Sequence, residues 1–149
     1  SLYTYWKRSV PPPNMFAIDA PTRETCTVQR QRTNTPLMAL VILNDPTFVE
    51  ASRVLARRAM TESGADPREK ISFIFRSMLS RSPSAAEMEI VLELFRRQQG
   101  VYTKDKAAAL KLLAVGESKR LESLDAADHA AWTTVASMIL NMDEAITRE

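Results

Sequence analysis

Cys26 and His129 are the residues with the most obvious chemistry, because the chain holds one cysteine and one histidine. A thiol beside an imidazole is a nucleophile with its base. The two lie in different segments, and nothing in the order of residues brings them together. A packed or partly buried thiol is therefore the stronger expectation. Asp125, Asp128 and His129 stand at i, i+3 and i+4, a spacing that could offer a metal two or three ligands from one helix face. Asp125 equally fits an N-cap and Asp128 the positive start of a helix, and there is no second ligand cluster, so no metal is expected. Covalent haem needs two thiols, which a single cysteine cannot supply. Met138 and Met142 are expected as core filler and His129 as a helix-surface histidine, so no cofactor is expected in this chain. Glu87, Glu89 and Glu93 invite a carboxylate-pair hypothesis, but Glu87 fits a capping box and the other two fit a solvated face.

The first 35 residues hold a denser constellation. Tyr3, Tyr5 and Trp6 sit beside Lys7 and Arg8, and Arg30 and Arg32 alternate with Gln29 and Gln31. In an extended chain Arg30 and Arg32 point to one side, where they could engage carboxylates bidentately. Tyrosine, tryptophan and arginine together are also the composition of interface anchors. Two readings stand side by side: these residues form an interface, or the aromatics cover this protein's own helices. Tyr3, Tyr5, Trp6, Arg23, Arg30, Arg32 and Asn34 are the candidate interaction residues. This segment carries five cations against Asp19 and Glu24, whereas residues 36–149 carry 15 basic and 16 acidic groups. Five cations spread over 35 residues are no polybasic block, and no nucleic acid partner is expected.

The elements that must position these groups change character near residue 35. Four of the eight prolines, Pro11, Pro12, Pro13 and Pro21, fall before it. Pro11–Pro13 predicts a short polyproline II rod. Leu2–Trp6 and Thr25–Val28 read as extended segments. Beyond residue 35, Thr35-Pro36, Asp45-Pro46 and Asp66-Pro67 each place a capping side chain before a proline suited to the first helical position. Ser84-Ala85-Ala86-Glu87 fits the capping box. The spacing predicts helices over 36–43, 46–62, 67–79, 84–99, 104–115 and 125–141, with Gly116 as a left-handed stop. The fold expected is all-α: a compact bundle of about five to six helices over residues 36–149, preceded by an extended, proline-containing arm over residues 1–35. Its core is expected to centre on Phe48, Leu55, Ile74, Phe75, Leu92, Phe95, Leu113, Trp132 and Ile139.

Of the 149 residues, 45% are hydrophobic and 26% charged, which is ordinary globular composition and argues against disorder. No apolar run approaches the roughly 18–20 residues that span a bilayer. The opening SLYTYWKRSV lacks the basic flank and apolar stretch of a signal peptide.

Three longer motifs are SLYTYWKRSVPPP, FAIDAPTRETCTVQRQRTNTPLMALVILNDPTF and the closing LNMDEAITRE. Together they resemble the C-terminal part of a Planctomycete-type domain of unknown function. That domain occurs in large exported proteins, commonly beside a cytochrome c-like domain. Met38 stands where the family would have Gln, and Ala145 where an aromatic is usual. The resemblance implies an exported location, periplasmic or in the cell envelope, and a longer parent polypeptide. Any haem would then sit in a separate upstream domain. It brings no catalytic residues to carry over. The function expected is a non-catalytic interaction or scaffolding module whose partners are the upstream domains of the same polypeptide and other envelope proteins. One alternative is an enzyme part completed by the upstream region through Asp19, Arg23, Glu24 and Asn34. Another is glycan binding on Tyr3, Tyr5 and Trp6, against which the low aromatic content of 7% speaks.

Overall fold

Six helix starts in this chain are written as polar caps, and each of the six forms. The computed structural model describes residues 5, 7, 11–21, 24–29 and 34–147. Among them are eight helices and no strand: α1 (Pro13–Ala17), α2 (Pro36–Asn44), α3 (Pro46–Glu62), α4 (Pro67–Leu79), α5 (Ala85–Lys104), α6 (Lys106–Leu113), α7 (Ala126–Leu140) and α8 (Asp143–Ile146). The Thr35 side chain accepts from the Met38 N–H, Asp45 from Thr47 and Asp66 from Arg68, each ahead of a proline that has no N–H to satisfy. Ser84 and Glu87 close the reciprocal capping box of α5. Asp105 ends α5 and its side chain caps α6, so the two helices meet without a loop.

The six expected helices are present, with α5 running five residues beyond its expected end and α6 shorter at both ends. Gly116 is left-handed, at φ 95°, although α6 has already ended at Leu113. The proline rod is shorter than expected. Pro12 keeps rod-like angles of −56° and 127°, but Pro13 opens α1, whose Met15 N–H is met by the Asn14 side chain. A five-residue helix is too short to show periodicity, which is why the sequence hides it. Thr25–Val28 is exposed and forms no strand.

Helix α7 is the axle. It packs against α3, α5 and α6 most extensively, and also touches α2, α4 and α8. Helices surrounded in this way lose their polar face. Nine of its fifteen residues are buried, on all sides: Ala127, His129, Ala130, Ala131, Trp132, Thr133, Val135, Ala136 and Ile139. Helix α3 meets it through Ser52, Ala56 and Ala59, so small residues from both helices set a close approach. Helical spacing puts all three on the expected face of α3, but its small residues take the centre and its large ones the edge. Phe48 and Leu55 are only half-buried, with Leu55 at the margin of the core. The centre is filled instead by Ile71, Ile74, Phe75, Val91, Leu92, Phe95, Trp132, Val135 and Ile139. Trp132 stacks on Phe95 with ring centroids 4.1 Å apart. Leu113 belongs to a smaller cluster with Ala109 and Ala130 under α6.

Candidate functional site

Two features rise above ordinary packing: a buried polar junction between α3, α7 and the segment 114–125, and the outward face of α2. The junction begins with residues that the burial pattern carries inward. Arg53 sits on the buried side of α3 beside Ser52 and is 2% exposed. A buried guanidinium must be paired and hydrogen-bonded. Its Nη2 donates to the Ser118 carbonyl and Oγ, both at 2.7 Å, and to Glu50 Oε1 at 3.4 Å. Glu50 in turn accepts from the backbone N–H groups of Glu117, at 3.0 Å, and Ser118, at 2.6 Å. Left-handed Gly116 turns those two N–H groups toward the carboxylate, and a Cβ there would collide with Glu50. Hydrogen bonds from the Ser118 side chain and backbone, then from the Glu117 backbone, hold the Glu50 carboxyl at about 2.

His129 lies beneath this loop and is 1% exposed, not a helix-surface residue as expected. The expectation failed because α7 has no solvent face at that position. Its Nε2 lies 3.1 Å from the Arg53 carbonyl oxygen. A carbonyl only accepts, so Nε2 carries the proton and Nδ1 presents a bare lone pair. Burial pushes the imidazole below its ordinary 6.5; the Arg53 carbonyl opposes this, and the charges of Arg53, Arg120 and Arg57 add to it. Three buried polar atoms here have no partner: Arg53 Nε, Arg120 Nη1 and His129 Nδ1.

Other sequence-derived candidates fall apart on inspection. Cys26 is exposed while His129 is buried, so the thiol has no base in that imidazole. Asp125 accepts from the N–H groups of Ala127 and Asp128, and Asp128 accepts from Gln99 Nε2 at 2.7 Å. With His129 turned inward, the three do not converge. Among the described residues no group of three or more histidine, cysteine, aspartate and glutamate side chains could hold a metal. Glu87 is committed to its capping box and to Arg81, which also bonds Glu144 of α8 and lies over the Phe75 ring. Glu89 pairs with Arg68 at 2.7 Å.

Of the candidate interaction residues, Tyr3, Trp6, Arg23, Arg30 and Arg32 lie outside the described residues. Tyr5 is exposed. Asn34 donates from Nδ2 to Asp143 Oδ1 at 2.6 Å, tying the entrance of α2 to α8. The sequence reading passed over Glu50, Arg53, Ser118 and Arg120. The available signal was Arg53 itself, a charge set among Ser52, Ala56 and Ala59 on the stripe that packs on a neighbour.

Helix α2 carries no charge between Asn34 and Asn44. One side buries Met38 and Ile42. The opposite side leaves Leu37 60%, Leu40 57% and Leu43 43% exposed, at i, i+3 and i+6. A helix that is apolar all round is ordinarily a buried one.

Both features fall wholly or partly inside the stretch that decides kinship. Residues 1–95 match the family described as PSD1, protein of unknown function (DUF1553). The chain belongs to that family. No curated protein and no solved structure matches it. The DUF1553 match takes in α1 to α4 and the first half of α5, hence α2 and the Glu50–Arg53 side of the junction.

Proposed function

We propose that this DUF1553 chain is a non-catalytic interaction module that docks onto upstream sequence of its own polypeptide through the outer face of α2. The observation that carries this reading is the leucine row Leu37, Leu40 and Leu43, exposed on a helix with no charge to keep it in water. Phe16 of α1, a helix that contacts α2, is also 62% exposed and widens the apolar surface of this region. The resemblance to a Planctomycete-type domain favours an intramolecular partner, since it implies a long exported parent with a cytochrome c-like domain. On that reading the location is the periplasm or cell envelope. Haem belongs to the separate domain and this chain holds no cofactor. Within the arm, α1 then lies beside the docking face.

The test is association between this chain and the upstream polypeptide supplied as a separate chain. Leu37→Glu with Leu40→Glu should abolish binding while leaving the melting curve in place, because both side chains are already in solvent. Binding at full affinity by that double variant would overturn the proposal.

A further inference from the structure

We infer that the corner where α5 runs into α6 is a contact surface for an anionic lipid bilayer. This surface is separate from the α2 face and does not depend on it. The excess positive charge of the chain is concentrated here. Residues 96–111 carry five cations against Asp105 alone, whereas the rest of the chain carries 15 basic and 17 acidic groups. Four of those cations share the corner with two exposed aliphatic side chains. Helix α5 buries Val91, Leu92 and Phe95, so Arg97, Val101 and Lys104, at i, i+4 and i+7, lie on its opposite side and are exposed. Helix α6 buries Ala109 and Leu113 and leaves Lys106, Leu110 and Lys111 in solvent. Both helices pack on α7, so these sides face away from it. At a rise of about 1.5 Å per residue, all six residues lie within about 12 Å of the joint at Asp105 along their helices. Val101 is 49% exposed and Leu110 50%.

These charges are not used within the fold. Among the described residues, none of the four cations forms an ion pair. Asp105 accepts from the Ala108 N–H at 2.9 Å. The charge of Lys106 also reaches Asp125, whose carboxylate already accepts from the N–H groups of Ala127 and Asp128. The patch has clear limits. The outer stripe of α5 turns acidic one turn before Arg97, at Glu93, and the groove beside Leu110 mixes Glu117 and Glu122 with Lys119 and Arg120. Unpaired cations at this density select a partner that is itself anionic. Three features favour a bilayer over an acidic protein. Residues 103–107 are exposed one after another, so the joint projects, a shape that suits a flat partner. Three of the four cations are lysine, a point charge suited to a diffuse anionic surface, where paired carboxylates would favour arginine. Val101 and Leu110, with the lysine stems beside them, supply apolar area for the headgroup boundary while the ammonium groups stay among the phosphates. Each cation near such a surface strengthens binding about fivefold, and clusters of roughly four to eight read anionic lipid. The contact is peripheral: among the described residues no helix is long and apolar enough to cross a membrane.

Vesicle co-sedimentation of the whole chain tests this. Two kinds of vesicle are used at low salt, phosphatidylcholine alone and phosphatidylcholine with an equal part of phosphatidylglycerol. Binding is expected to the mixed vesicles and not to the neutral ones, and it should weaken as salt is raised. Lys104→Gln with Lys111→Gln should weaken it about 25-fold, at about fivefold for each lost cation. Both lysines are exposed, so the melting temperature should not move. Leu37→Ser with Leu40→Ser should leave vesicle binding in place, which separates this surface from the α2 face. Polyglutamate at matched negative charge should displace the chain poorly. Mixed vesicles that do not bind, neutral vesicles that bind equally well, or a lysine double variant that binds as tightly as the parent would overturn the inference. Loss of binding in the α2 variant would also overturn it by moving the lipid contact to α2, and full displacement by polyglutamate would do so by identifying an acidic polymer as the partner.

Discussion

Burying an imidazole among three arginines sets the sign of this protein's response to mild acid. In the folded state His129 is held below its ordinary 6.5, first by burial. The unfolded chain therefore takes up a proton below about pH 6.5 that the folded chain refuses, and stability must fall as pH drops through that value. Above it the effect vanishes. Glu50 and Glu87 act in a different window. Each is held at about 2 against an ordinary 4.5, Glu50 chiefly by the Ser118 hydrogen bonds and Glu87 chiefly by Arg81. Their stabilisation is complete above about 4.5 and is lost as pH falls toward 2. Denaturant titrations from pH 7.5 to 5.5 should show a decline that flattens in His129→Asn, because among the shifted groups described the histidine is the one whose ordinary pKa falls inside that range. A slope unchanged by the substitution would place the proton elsewhere. The core residues make a simpler forecast. Phe75 is fully buried and Trp132 nearly so, stacked on Phe95, and truncation of either to Ala should cost about 3–5 kcal/mol in equilibrium unfolding. Both were legible from helical spacing alone. His129 was not, because spacing along one helix cannot reveal that neighbours cover every side of it.

Helix boundaries were the most legible part of the chain, for a physical reason. Each of α2 to α7 begins with a local device whose partners lie within three residues, so no tertiary knowledge is needed to find it. Helix ends and rotations depend on what packs against them. The spacing marked one face of α3 with Phe48, Ser52, Leu55 and Ala59, widened by Val49 and Ala56; of these Ser52, Ala56 and Ala59 are the buried ones, since α7 approaches closely enough to select small side chains. The segment between α6 and α7 is set by a comparable long-range device, the Glu50 carboxylate received by the turn at Gly116. Gly116→Ala should destabilise by about 1–3 kcal/mol, the usual cost of a strained backbone position, because φ is 95° and the added methyl meets Glu50. Ser84→Ala removes one half of the α5 capping box and should cost about 0.5–2 kcal/mol. Thermal melts of the two variants compare a long-range device with a local one. Adding Glu50→Ala to Gly116→Ala should recover part of the loss, since the collision is then gone while the strain at φ remains.

At the scale of the whole molecule, α8 is held to the bundle by polar ties rather than by further core. Arg81 joins the start of α5 to Glu144 of α8, and Asn34 joins the entrance of α2 to Asp143 on the same short helix. Neither tie was visible in the sequence, where the partners stand 63 and 109 residues apart. Residues 11–21 add α1, which contacts α2 and bonds Asp45 through Asn14 at 3.2 Å. None of those arm residues enters the hydrophobic clusters, whose buried members all come from α3 to α7. Deleting residues 1–33 should therefore leave a cooperative melt, with a modest loss from the Asn14–Asp45 bond and the α1 contacts. It should also uncover more of α2, whose outer side is apolar and exposed. The truncated chain is then expected to stay folded yet self-associate more readily at high concentration, and Leu37→Glu with Leu40→Glu should reverse that tendency. Sedimentation velocity of the truncated chain, with and without the two glutamates, measures it. A truncated chain that loses its cooperative transition would mean that the arm belongs to the core. One that remains monomeric at every concentration would mean that the exposed leucine row has no drive to be covered, which removes the basis for docking through α2.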